Sequence, residues 1–173
     1  AGFDGMAVYN NFVRPQAWRP LAEATSAGDL LFSFNVNPGF DSLPGRPSID
    51  PNPCPGSTPT PAGKPPIEPP GDYDFLREAD RERLAERSRN RIAETFRTTL
   101  ALQTKADLAN ARHGFLLVYI NSFNEWHEGH QFEPMKNSSD LTPEERQYDY
   151  RNPRVGDYRL RYLQELMRPI VGG

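Results

Sequence analysis

Phe115-Leu-Leu-Val-Tyr-Ile120 is an unbroken apolar run, and four residues after it begins Asn124-Glu-Trp-His-Glu-Gly-His-Gln-Phe-Glu133. A short apolar run bounded by polar residues reads as a buried strand. Such a strand delivers Glu125, Trp126, His127, Glu128 and His130 to one edge of a sheet. Charge clustered at a strand end costs free energy unless it is solvated or paired. The cluster therefore calls for a functional reading first.

Two further apolar runs, Gly5 to Tyr9 and Leu30 to Val36, precede this one. Unbroken apolar strands imply burial on both faces, as in parallel sheets. Helical patterns follow each of the three: Trp18 to Ala27, a long polar segment, and Asp157 to Met167. In the long segment Leu84, Ile92, Phe96 and Leu100 recur at multiples of four, with arginines and glutamates of alternating sign around them. This predicts one helix with a buried stripe and a solvated face, since the acids cancel the bases that a nucleic-acid recognition helix would need. Thr142-Pro-Glu-Glu145 carries an N-cap, a Pro at the first helical position and acids in the first turn, so a short helix is expected there.

Strand-helix repeated three times predicts an α/β fold with a parallel sheet. A closed parallel barrel takes eight such units and about 250 residues. A free-standing three-stranded sheet would leave two edges and much apolar surface unprotected. The expectation is thus about three strand-helix units of a (β/α)8 TIM barrel, a single partial domain over 1–173. The opening Ala-Gly-Phe-Asp-Gly5, with no initiator Met and no signal-like segment, fits a piece of something longer. Between the second strand and the long helix lies a Pro-rich insertion at about 51–72. Nine of the twenty residues from Pro51 to Pro70 are Pro, which predicts an exposed, extended spacer in preference to a ligand for a Pro-binding module.

Composition narrows the partners. The 173 residues carry 20 Lys+Arg against 23 Asp+Glu, and no basic block suits nucleic acid or an anionic bilayer. No apolar stretch approaches the roughly 18 residues of a membrane helix. Cys54 is alone, which excludes an internal disulfide and leaves the compartment open. Asn137-Ser-Ser139 matches a glycosylation acceptor, a three-residue pattern that arises often by chance.

If the chain turns out of the sheet near Asn124, with the permissive Gly129 helping, residues i and i+3 return to one side. Glu125 and Glu128 then project together into the mouth above the strand's carboxyl end. Neighbouring carboxylates do not ionise independently, so one holds a proton as general acid while the other serves as base. Trp126 offers a face for a sugar ring, and a carbohydrate-active pair follows. Tyr9 and Asn10, ending the first strand, and Asn35 or Asn37, ending the second, are expected at the same mouth. Two other readings remain at this point: a solvated loop with Trp126 as a core plug, and a metal site on His127-Glu-Gly-His130. Those histidines stand three apart, not the four of a zinc-protease helix, and no third ligand is evident, so no metal or cofactor is expected.

The run Ile120-Asn-Ser-Phe-Asn-Glu-Trp-His-Glu-Gly-His-Gln-Phe-Glu-Pro134 resembles the signature of glycoside hydrolase family 99, the endo-acting α-mannosidases and mannanases. Gly2-Phe-Asp-Gly5 leading to Tyr9 is similar to that family's sixth barrel strand, and Asn37-Pro-Gly-Phe-Asp41 with Arg46 to the loop after its seventh. The resemblance implies the C-terminal portion of the barrel, with catalytic roles for Glu125 and Glu128. It implies substrate contacts from Tyr9, Asn10, Arg46, Asn124, Trp126 and His127, and an oligosaccharide or polysaccharide as partner. His130 and Phe132 stand where the pattern has Thr and Ile. The alternative expectation is a non-catalytic carbohydrate-binding relative, or an inactive fragment.

Overall fold

The computed structural model describes residues 2–9, 13–39, 77–125, 129–147 and 152–171. Strands β1 (Gly5–Val8), β2 (Leu31–Val36) and β3 (Tyr119–Ile120) form one sheet in the order β1-β2-β3, with both pairings parallel. Helix α1 (Trp18–Ala27) connects the first two strands, and α2 (Glu78–Gln103) with the short α3 (Ala109–Arg112) precedes the third. A two-stranded antiparallel hairpin, β4 (Asn124–Glu125) and β5 (His130–Gln131), follows the sheet, and α4 (Pro143–Gln147) and α5 (Tyr158–Val171) close the chain. The α/β class and the parallel, adjacent strands are as the alternation predicts.

Helices cover the face of β2 that carries Phe32, Phe34 and Val36. Trp18 and Ala22 of α1, with Leu102 and Leu108, enclose Phe32 and Phe34, and the Trp18 ring stacks on Phe34 at 4.8 Å between centroids. Ile92 and Phe96 of α2 and Leu163 of α5 enclose Val36. Each such side chain contributes roughly 1.5–3 kcal/mol on burial, so β2 is the anchor of the fold. The predicted stripe on α2 is there: Leu84, Ile92 and Phe96 are buried. At Gly5 a Cβ would lie 2.8 Å from the Leu31 carbonyl oxygen, so only glycine lets β1 approach β2 so closely.

Burial of the outer strands differs from expectation. Gly5, Met6 and Ala7 are exposed, and so are Tyr119 and Ile120, while Leu116 reaches 55%. Each outer strand has one neighbour, and only the central one is enclosed on both faces. The third strand is also shorter than the apolar run Phe115 to Ile120. Its pairing with β2 begins only at Asn35↔Tyr119, because two side-chain amides stand between the chains below that point. Asn110 takes both main-chain groups of Phe32, the N–H at 2.9 Å and the carbonyl at 2.7 Å. Gln103 does the same for Leu117, at 2.8 and 2.6 Å. Both are fully buried, and the Asn110 amide donates to Gln103 at 3.3 Å. The pair imitates a missing stretch of strand, which satisfies the backbone without the backbones meeting.

Candidate functional site

Because the three strands run parallel, their carboxyl ends share one edge. A chain of buried amides ties that edge together. Asn35 Nδ2 donates to the Val8 and Tyr9 carbonyls, each at 2.9 Å. Asn37 Nδ2 donates to Asn35 Oδ1 at 2.7 Å, and Asn37 Oδ1 accepts from Gly39 N–H at 3.2 Å and Arg91 Nε at 3.0 Å. The sequence pattern predicts that Asn35 or Asn37 opens onto the mouth. Both are instead buried and consumed by these bonds, a structural use that satisfies main-chain ends no ladder reaches.

Beyond β3 the chain leaves the sheet as the hairpin, in register Asn124↔Gln131 and Glu125↔His130. Glu125 still pairs as a strand residue, opposite His130. Gly129, at φ +62°, takes the left-handed conformation that glycine adopts without penalty. Phe132 N–H donates to the Ser122 and Phe123 carbonyls, and Glu133 N–H to Phe123 at 2.8 Å, which lock the base of the hairpin. Asn124 and Glu125 are exposed, and Tyr9, 78% exposed, lies at the end of β1 on the same edge. Asn10, Arg46, Trp126, His127 and Glu128 lie outside the described residues, as does the Pro-rich insertion.

The opposing strand is held from behind. His130, 1% exposed, places Nδ1 2.7 Å from the Gly39 carbonyl, and the Asn121 backbone also hydrogen-bonds the ring. One imidazole thus joins the loop after β2, the end of β3 and the hairpin. Burial holds its pKa down at about 4, helped by the positive charges of Arg159 and Arg91 and opposed by the two backbone bonds. The ring is neutral at pH 7. Its neighbour Gln131 accepts two hydrogen bonds from Arg159 Nη1, at 2.8 Å on the main chain and 3.2 Å on the side chain.

His130, Gln131 and Arg159 are the residues that the sequence did not single out for this role. For His130 the available signal was its departure from the family pattern; nothing local marked Arg159. Among the described residues no three His, Cys, Asp or Glu side chains gather as a metal site, and no helix is long and apolar enough to cross a membrane. No family model, curated protein or solved structure matches the chain.

Proposed function

We propose that the chain is the C-terminal portion of a (β/α)8 glycosidase that cleaves internal α-mannosidic linkages with retention, with Glu125 and Glu128 as the catalytic pair. The observation that carries this reading is the placement of Glu125: exposed, one turn beyond the carboxyl end of a parallel strand, on a hairpin whose other strand is buried. Barrel enzymes assemble their sites at that edge. The resemblance of the surrounding motif supplies the chemistry.

In this scheme Glu125 removes the proton of the axial 2-hydroxyl. That oxygen attacks the anomeric carbon as the glycosidic bond breaks, which forms a 1,2-anhydro sugar. Glu128 protonates the departing oxygen and then deprotonates the water that opens the three-membered ring. Tyr9, Asn10, Arg46, Asn124, Trp126 and His127 would orient the sugar. No metal or cofactor takes part.

The test is hydrolysis of α-mannan oligosaccharides by this chain and by the longest natural polypeptide that contains it. Glu128→Gln should abolish cleavage of poor leaving groups and spare part of the activity on a leaving group that needs no proton. A 2-deoxy or 2-fluoro analogue should bind without turnover. A covalent sugar on either Glu, seen by intact mass, would overturn the epoxide route. Binding of mannan without hydrolysis by the full polypeptide would favour the non-catalytic relative.

A further inference from the structure

Behind the hairpin sits a buried charge that has no counterion among the described residues. Arg159 is 3% exposed. Its Nε donates to Ser88 Oγ at 3.0 Å and to the Tyr158 hydroxyl at 2.9 Å, and its Nη1 bonds Gln131. Its guanidinium carbon lies 5.5 Å from the centre of the Tyr158 ring. All of these partners are neutral, and among the described residues no carboxylate pairs with Arg159. A buried cation costs several kcal/mol unless an opposite charge compensates it. Acceptors are scarce nearby: Gln131 Nε2 is a buried donor with no partner among the described residues.

Arg159 lines a cavity of about 460 Å³, together with Arg14, Arg87, Arg91, Ser88 and Glu94. Glu94 Oε1 accepts from Gln16 Nε2. Arg87 and Arg91 make further interactions. Arg159 and Arg14 outnumber Glu94, the one carboxylate among the described lining residues. His130 registers the same field, since Arg159 and Arg91 both help to depress its proton affinity.

We propose that this cavity is an oxyanion site, with Arg159 as its buried anchor and Arg14 as a second guanidinium, which takes the phosphate or carboxylate of an anionic sugar-sized ligand. Nε and Nη1 of Arg159 are taken by Ser88, Tyr158 and Gln131, so its Nη2 is the donor left for one oxygen of such a group, and the Arg14 guanidinium serves another. A neutral ligand would leave the buried charge unmatched. The volume falls within the ~300–1,000 Å³ of small-molecule sites and exceeds what one ion fills, and Glu94 gives a ligand hydroxyl an acceptor. The inference needs no turnover and stands apart from the glycosidase reading.

Calorimetric titration at constant ionic strength, set with sodium chloride, tests it with a hexose 6-phosphate, a hexuronate, inorganic phosphate and a neutral hexose. The sugar phosphate or the hexuronate should bind saturably and the neutral hexose should not. Inorganic phosphate binding as tightly as the sugar phosphate would identify the free ion as ligand of the same site. Arg159→Met should weaken binding at least tenfold, and Arg14→Met about tenfold. In the intact protein the His130 resonance should titrate at higher pH when the anion is bound. Absence of saturable anion binding, or unchanged affinity in a folded Arg159→Met, overturns the site. If Arg159→Met does not fold, unchanged affinity in Arg14→Met with an unmoved His130 titration does the same.

Discussion

β4 and β5 lie side by side in one hairpin and are used in opposite ways. Asn124 and Glu125 are exposed and, among the described residues, make no tertiary hydrogen bond through their side chains, whereas His130 and Gln131 are sealed against Gly39 and Arg159. Two adjacent strands thus divide the work. One presents an exposed carboxylate. The other buries polar groups whose partners come from two other parts of the fold. Preorganisation of this kind is what a positioned acid or base requires, because a small displacement costs much of its effect.

The largest effect expected from this division is on turnover. On the proposed glycosidase mechanism, Glu125→Gln should lower kcat/KM by roughly 10²–10⁴-fold, the usual worth of a positioned base, and leave the melting temperature nearly unchanged, since exposed substitutions without special contacts stay within about 0.5 kcal/mol. A comparable loss of stability would show that the two strands are not divided as described.

Acid should act on the other strand. Unfolded His130 takes up its proton near pH 6.5, and the folded ring resists until about 4. Between those values the unfolded state binds more protons, so stability falls as pH drops from 6.5 to 4, by about 3 kcal/mol. Lowered carboxyl pKa values at Asp29, beside Arg112 and His113, and at Glu145, beside Lys136, add a loss as pH falls through their ordinary values of 3.8 and 4.5, at the acid end of that window and below it. Urea unfolding at several pH values should show the slope, and His130→Gln should remove it.

Much of this was legible in the chain and some was not, for reasons of sequence distance. Trp18–Ala27 is helical over the range its pattern predicts, and the α2 stripe and the Gly129 turn depend on near neighbours. Glu125 stood out because chemistry-bearing residues crowded around it. The shortened third strand was not visible, because its cause is Asn110 meeting Phe32, a partner 78 residues away. His130 bonds Gly39 across 91 residues, so its use as a staple could not be read from its neighbours. The exposure of the outer strands was likewise a property of sheet order, which an apolar run does not specify.

Buried polar groups far from the hairpin give a control of intermediate size. Asn110→Ala would leave the Phe32 N–H and carbonyl without their partner, and each unmet buried group costs about 1–3 kcal/mol. A loss of about 3 kcal/mol is expected. Thermal unfolding measures it, and kcat/KM well below the transition should not change. A change in activity there would mean that the amino end of the sheet communicates with the carboxyl edge.

The smallest effect tests whether exposure alone marks a functional residue. Thr142 is exposed like Glu125, yet it has a structural partner: Glu145 N–H donates to its Oγ1 at 3.2 Å, and Glu145 Oε2 accepts from Thr142 N–H at 2.8 Å. This reciprocal pair is the capping box that starts α4. Thr142→Ala removes one half of it and leaves the other. The bond lost is the longer one, so the cost should sit near the low end of cap deletions, about 0.5–1 kcal/mol. In a chain of this size that lowers the melting temperature by roughly 1–4 °C, with no effect on turnover or on the pH slope of His130. A drop in turnover with an unchanged melting temperature would place α4 at the substrate and extend the exposed side of the site beyond β4.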